Sequence, residues 1–317
     1  MNAIIEKTAV RDDSYRRMMW FYPSARAAFK DFLRAVEIGP EERVLLPAYI
    51  GWSAREGSGV FDPISELGLT PAFYRMDDRL HIDLESFGKL LKAHKVRVAV
   101  LIHYFGYPDS EYATAVAMAK EAGALVLEDE AHAMYTDLIG GATGRLGHAS
   151  IFSLHKMLPV KEGGMLVVNS GCERIIDRID PPGVDIPSPW SYDLVSIARM
   201  RVNNAATLAD MLVPLAGVID PLWEAPAPGV VSQTYPVLVS GVSRDKLYFA
   251  MNEAGYGAVS LYHTMIDRIT SEDFPESHYL SKHVMNLPVH QDTGPEQLRS
   301  MVDKLVECVR EMGGKLP

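Results

Sequence analysis

Apolar residues fall in short runs of strand length, separated by polar breaks that carry glycine and proline. Residues 44–47, 72–76 and 98–104 are three such runs, the last ending at Phe105-Gly106-Tyr107-Pro108. Residues 124–127 form a fourth, which stops abruptly at Glu128-Asp129-Glu130. Residues 149–154 end at His155-Lys156, and residues 165–168 begin directly after Glu162-Gly163-Gly164. Between these runs the apolar spacing becomes helical. Ala28, Phe29, Phe32, Leu33 and Val36 recur on one helix face behind a capping Ser24, with Gly39-Pro40 as the expected stop. Residues 82–94 and 109–122 read as two more helices. Strands alternating with helices predict an α/β fold with a mostly parallel central sheet flanked by helices.

After Asn169 the strong runs thin out. Residues 172–179 and 205–224 are expected to be helical, with breaks at Pro181-Pro182-Gly183, Pro187, Pro189 and Pro226-Ala227-Pro228-Gly229. Further on, residues 234–240 and 258–262 read as strands. Ser243 caps a helix running to Ala254, and Thr293-Gly294-Pro295-Glu296 opens a last one. The expected division is a large α/β domain with an N-terminal arm over 1–180, a partly helical connection over 181–230, and a smaller α+β domain over 231–317. The aromatic group Trp20-Phe21-Tyr22 at the end of the arm is a candidate docking surface.

With 317 residues, 48% of them hydrophobic, the chain is long enough for two cores. A formal charge of −10 and a pI near 5.5 without a basic stripe argue against a nucleic-acid partner. Cys172 and Cys308 stand apart from any CxxC or Cys/His spacing, which fits a reducing compartment and no thiolate zinc site. No apolar run reaches the roughly 18 residues of a membrane span, and Met1-Asn2-Ala3-Ile4-Ile5-Glu6-Lys7 lacks a signal peptide's apolar core. A cytoplasmic protein is expected. The glycine-rich turn at residues 140–144 is followed by Arg145-Leu146, so it is not a P-loop, and no metal-ligand spacing or Gly-x-Ser-x-Gly elbow is present.

The chemistry concentrates at strand ends. Asp129 closes one apolar run and Lys156 follows the next, so both stand at the sheet edge where open α/β folds bind ligands. A lysine amine that forms a Schiff base, together with a carboxylate that keeps a pyridine nitrogen protonated, is what pyridoxal 5′-phosphate requires of a protein. Glu128-Asp129-Glu130-Ala131-His132, Gly144-Arg145-Leu146-Gly147-His148, Phe152-Ser153-Leu154, Lys156 and Glu162-Gly163-Gly164 together resemble the DegT/StrS-type sugar aminotransferases. These are pyridoxal-phosphate enzymes of the aspartate aminotransferase (type I) fold. His103, Gly106 and Pro108 match that family's V-H-x-x-G-x-P, and Leu287-Pro288-Val289-His290 matches its late L-P-x-H.

The resemblance implies roles. Lys156 bonds the cofactor and then serves as general base; Asp129 contacts the pyridine nitrogen, His132 lies near the ring hydroxyl, and Ser153 belongs to the cofactor site. Ala25 and Arg26 occupy the helix start that holds the phosphate, although Ala-Arg replaces the family's Gly-Thr. Trp52 takes the place of the aromatic residue stacked on the ring. His103, Tyr262 and His263 fall at substrate-facing positions. Ser153 is nearer in sequence to Lys156 than the family pattern has it. The implied activity is amino-group transfer from an amino-acid donor to a keto-sugar nucleotide, in a homodimer. The alternatives are a pyridoxal-phosphate enzyme with another reaction or a non-sugar substrate, and a non-catalytic member that binds a nucleotide sugar or a partner protein.

Overall fold

The computed structural model describes residues 17–169 and 172–316. Seven strands form the main sheet: β1 (Met18–Tyr22), β2 (Glu42–Pro47), β3 (Thr70–Tyr74), β4 (Lys95–Ile102), β5 (Leu125–Asp129), β6 (Ala149–Ser153) and β7 (Gly164–Val168). Their order is β1-β7-β6-β5-β4-β2-β3. Strands β2 to β6 run parallel; α1 (Ala25–Val36) leads into β2, and α2 (Phe61–Glu66), α3 (Leu84–Ala93) and α4 (Tyr112–Glu121) link β2 to β3, β3 to β4 and β4 to β5. Only β7 runs against its neighbours β6 and β1, because residues 154–163 contain no crossover helix to bring the chain back in parallel. The expected mostly parallel sheet is therefore present. Its central strands are apolar nearly throughout because both faces are covered, so Val98, Ala99, Val100, Val126 and Leu127 are all buried.

Helix α1 forms as the spacing of its apolar positions predicts. Ser24 Oγ accepts from the Ala27 N–H at 3.2 Å, and Phe29, Phe32, Leu33 and Val36 are buried. The helix stops before Gly39-Pro40, at Glu37, whose left-handed backbone (φ 55°) turns the chain. The next step packs this helix start onto the sheet. A Cβ on Gly164 would lie 2.1 Å from the Ser24 carbonyl carbon and 2.4 Å from the Ala25 nitrogen. Glycine at the head of β7 is thus what lets the N-terminus of α1 rest on that strand.

The remaining chain adds α5 (Glu173–Ile176), α6 (Leu194–Leu212), β8 (Ile219–Pro221), β9 (Thr234–Val239), α7 (Arg244–Glu253), α8 (Pro275–His283), β10 (Val284–Pro288) and α9 (Pro295–Glu311). Strands β10, β9 and β8 form a small antiparallel sheet in that order. Leu208, Leu212, Val237, Leu247, Met251, Leu298 and Leu305 form the core beneath it. Two expected elements differ. Residues 205–224 are not one helix: α6 starts earlier, where Asp193 accepts from the Ser196 N–H at 3.0 Å, and Ile219 has already entered β8. Residues 258–262 make only a single bridge, Val259 to Asn286. Beyond it the chain leaves the small sheet, and the residues that follow pair with the loop after β2. The Trp52 N–H donates to Thr264 O at 2.9 Å and the Ile266 N–H to Ile50 O at 3.1 Å.

The arm expected over residues 1–22 lies mostly outside the described residues, and its described end is edge strand β1. Tyr22 is buried there, donating to Asp31 Oδ2 at 2.6 Å, and Trp20 and Phe21 are half-buried against the cores. Arg17, just before β1, holds both oxygens of buried Asp137 at 2.6 and 2.7 Å. Among the described residues no helix is long and apolar enough to cross a membrane.

The ladder beside β5 contains a pH-sensitive contact. The Val126 N–H donates to His148 Nδ1 at 2.8 Å, and partial burial lowers the His148 pKa from 6.5 to about 4. The unfolded chain therefore takes up this proton near pH 6.5, whereas the folded chain resists it until about pH 4. We predict that stability falls as pH drops through that window, by roughly 2 kcal/mol after allowance for solvent screening. His148→Asn keeps an acceptor and removes the titration. Urea midpoints at pH 7 and pH 5 should differ less in the variant than in the wild type, and equal differences would remove His148 as the cause.

Candidate active site

Side chains alternate along a strand, so Asp129 faces one side of β5 while Glu128 and Glu130 face the other. Asp129 opens into a cavity of about 640 Å³ at the C-terminal ends of the parallel strands. The same cavity is lined by Ala25, Arg26, Trp52, His132, Ser153, Lys156, Tyr262 and His263. The fold thus gathers these nine expected residues from α1, the loop after β2, the ends of β5 and β6, and the loop after α7. His103 is not among them. It is buried at the end of β4 with its Nε2 2.9 Å from Glu128 Oε2, on the far side of the strand from the cavity.

The geometry at the cavity floor is specific. Asp129 Oδ1 accepts from the Ala131 N–H at 2.9 Å. Burial pushes its carboxyl above the usual range, while that bond, Lys156 and His103 pull it back. Lys156 stands open to the cavity yet is crowded by protein, and desolvation lowers its pKa against the opposing pull of Asp129 and Glu56. Its Nζ is 3.1 Å from His132 Nε2. Burial first, and then Lys156, hold His132 well below its ordinary value. Ser153 Oγ is 3.4 Å from His155 Nδ1. Tyr262 adopts a left-handed backbone (φ 62°), and its ring packs 5.0 Å from Tyr49 and 6.2 Å from His132.

Several contributors were not apparent from spacing. Residues 52–60 form a flap along the cavity. Arg26 anchors it with one arm on the Glu56 carbonyl and the other 3.2 Å from Asp62 Oδ2, which also accepts from the Ser58 N–H at 3.0 Å. The guanidinium is therefore committed to the flap, and the helix start has its backbone N–H groups to offer an anion. A charged, glycine-bearing stretch, Arg55-Glu56-Gly57-Ser58-Gly59, was the available signal for such a loop.

Behind β5, Glu128 is a hub. Its Oε2 accepts from His103 Nε2, from Tyr112 OH and from the Gly144 N–H at 2.7 Å, and its Oε1 from the Gly147 N–H. Burial alone would raise this carboxyl, but these donors hold it below its usual value. Glu130 goes the other way: burial, with Asp137 and Glu128 nearby, pushes its carboxyl well above the usual range. His103, Glu128 and Glu130 bring donor atoms within 4.8 Å of one another, and Glu128 Oε2 there takes three hydrogen bonds from the protein.

Residues 22–183 match the DegT/DnrJ/EryC1/StrS aminotransferase family. The chain belongs to that family. Its activity class is accordingly amino-group transfer. The fold is also that of solved aminotransferases. The putative sugar aminotransferase Spr1654 from Streptococcus pneumoniae, in its PMP-form, superposes with a TM-score of 0.76 at 15% identity, covering 93% of this chain and 88% of that one. Helicobacter pylori PseC, an aminotransferase involved in the biosynthesis of pseudoaminic acid, gives 0.74 at 16%, covering 92% and 87%. S. venezuelae DesV gives 0.71 at 19%, covering 91% and 84%.

The donor set of this DegT-family chain fits pyridoxal phosphate. A helix N-terminus lies at one end of the cavity, a buried carboxylate on its floor, an indole on its wall, and an amine just beyond the strand next to the carboxylate's. The wider cleft of about 710 Å³ near Arg79 and Trp223 has no lysine in its lining. We predict that Glu128→Gln, which cannot accept all four donors, costs about 3 kcal/mol of stability. A urea midpoint unchanged from wild type would show that the hub does not support the site.

Proposed function

We propose that this chain transfers an amino group from an amino-acid donor to a keto-sugar nucleotide, with pyridoxal phosphate bonded to Lys156. The observation that carries the reading is the pairing of Lys156, just beyond β6, with Asp129 at the end of parallel neighbour β5, both lining one cavity. Bound pyridoxal phosphate supplies an electron sink for the substrate's bonding electrons. The rest is done by the chain. The first N–H groups of α1, at Ala25 and Arg26, take the phosphate with the help of the helix dipole. Asp129, ionised once a cationic ring nitrogen faces it, holds the proton on that nitrogen. Trp52 and the flap line the cavity and would cover the ring face. Lys156 Nζ would act as the general base that moves a proton between the substrate carbon and the cofactor. Its lowered pKa suits that work.

Tyr262 and His263 are proposed to face the sugar, since both line the open side of the cavity. His103 is proposed as a positioning residue instead, acting through Glu128 and the end of β5. Its burial leaves it no contact with a substrate in the cavity. We further propose a homodimer in the cytoplasm. Isologous pairs are the commonest closed assemblies, and the two-fold active sites of this family support the reading.

Borohydride reduction of the cofactor-loaded protein, followed by peptide mapping, should place the pyridoxyl group on Lys156. Lys156→Ala should lose the visible absorbance of bound cofactor, and Lys161→Ala should keep it. Label on Lys161 would overturn the assignment, and no label on either would favour the non-catalytic alternative. Asp129→Asn is expected to fold and to bind cofactor while losing at least about 100-fold in transamination, a loss of roughly 2.7 kcal/mol in transition-state stabilisation. Near-normal half-reactions with amino-acid donors would sink its proposed role. Half-reactions run backwards with amino-sugar nucleotides and with non-sugar amines separate the substrate classes.

A further inference from the structure

Between β4 and the cavity runs the turn Tyr104-Phe105-Gly106, and its centre is strained. Phe105 sits in the left-handed region (φ 57°, ψ 13°), which bulky residues rarely adopt. Its surroundings over-determine it. The Gln233 N–H donates to Phe105 O at 2.8 Å, and Thr136 Oγ1 donates to Gly106 O at 2.7 Å. Gly106 (φ 97°) is pressed so closely on the next segment that a Cβ would lie 2.5 Å from Val231 O.

The strained turn aims one group. The Phe105 N–H points at His132 Nδ1 at 3.3 Å, and the two rings lie stacked, 5.9 Å apart and 10° from parallel. A backbone N–H can only donate, so Nδ1 must accept, and the neutral ring then carries its proton on Nε2. That nitrogen is 3.1 Å from Lys156 Nζ. An N–H facing an ammonium would set donor against donor, so only the amine form of Lys156 completes the bond.

We infer that the Phe105–Gly106 turn locks His132 as the Nε2–H tautomer, and that this N–H, donated to Nζ, holds Lys156 as the free amine before the cofactor arrives. The inference rests on the reading of Lys156 as the cofactor-bonding lysine. An amine so held attacks an aldehyde without first shedding a proton. The charged and titratable groups around Nζ are Asp129 on β5, Glu56 on the flap, His155 beside it and His132. The two carboxylates favour the ammonium. Desolvation of the amine by the protein crowded around it works against them, consistent with the tautomer lock. Phe105 and His132 are positioning residues here, acting through Lys156.

The test uses the full chain stripped of cofactor. Nitrogen-15 NMR should show His132 protonated at Nε2 and bare at Nδ1. Trace acylation with acetic anhydride across pH, mapped by mass spectrometry with Lys161 as internal reference, reports how much of Lys156 is free amine. His132→Gln retains an N–H near the Nε2 position, so Lys156 should react as in wild type. His132→Asn keeps an acceptor for Phe105 but cannot reach Nζ, and the Lys156 titration should move up by about one pH unit, a tenfold loss of amine. A proton on Nδ1, or an unchanged titration in a folded His132→Asn, overturns the inference. Should His132→Asn fail to fold, the wild-type tautomer decides alone. Borohydride labelling of Lys156 by added pyridoxal phosphate is read separately, so failure of the tautomer lock and failure of the lysine assignment are distinguishable.

Discussion

A single buried carboxylate, that of Glu128, is the constraint on which the site geometry depends. It joins the end of β4 through His103, helix α4 through Tyr112, and the loop before β6 through the Gly144 and Gly147 N–H groups. A charge taken out of water is tolerated only when its lone pairs are filled, and here four donors from three segments fill them. The two glycines follow from the same contact. A Cβ on Gly147 would sit 2.8 Å from Glu128 Oε1, and Gly144 turns with φ 73° where a Cβ would strike Asp137. Since 128 and 129 face opposite sides of β5, fixing the one behind the sheet fixes the one in the cavity. Asp129 is aimed by its neighbour.

The second constraint is the seam between the large and small sheets. After one bridge to β10 the chain at Val259 crosses to the segment that carries Trp52, pairing with Ile50 and Trp52 across Gly51. Gly51 is needed there: a Cβ would come 2.8 Å from the Tyr262 ring. Tyr262 and His263 therefore reach the cavity by virtue of backbone bonds between layers, and Tyr262 accepts a left-handed backbone in the process. Met265, Ile266 and Ile269 from this crossing belong to the core of the large layer, so the cavity wall they carry is anchored rather than loosely appended.

Desolvation sets the protonation pattern around these anchors. Burial pushes the acids Asp129 and Glu130 up and the bases His132 and Lys156 down, so each of the four is driven toward its neutral form. Glu128 is the exception, ionised because its donors outweigh its burial. A cavity whose acid and amine are both pushed toward their uncharged forms is poised for a ligand that carries its own charges, a phosphate at one end and a protonated ring nitrogen at the other.

Much of the chain was determined locally. Apolar runs of strand length, helical spacing behind Ser24, and the acids and lysine at strand ends marked the parallel sheet and its ligand edge, because burial on both faces leaves a continuous signature in a strand. Tertiary structure decided the rest. Whether His103 faces the cavity depends on which side of β4 its partner Glu128 lies, and spacing carries no record of that. The guanidinium of Arg26 could serve a phosphate or a flap, and Asp62 with the Glu56 carbonyl, brought in by the fold, claim it for the flap. Residues 258–262 had the composition of a strand, yet only Val259 pairs with β10, and the residues that follow, Thr264 and Ile266, bond to Trp52 and Ile50 instead. Short-range pattern says which residues must be buried or paired, while the identity of the partner is a long-range fact that only packing supplies.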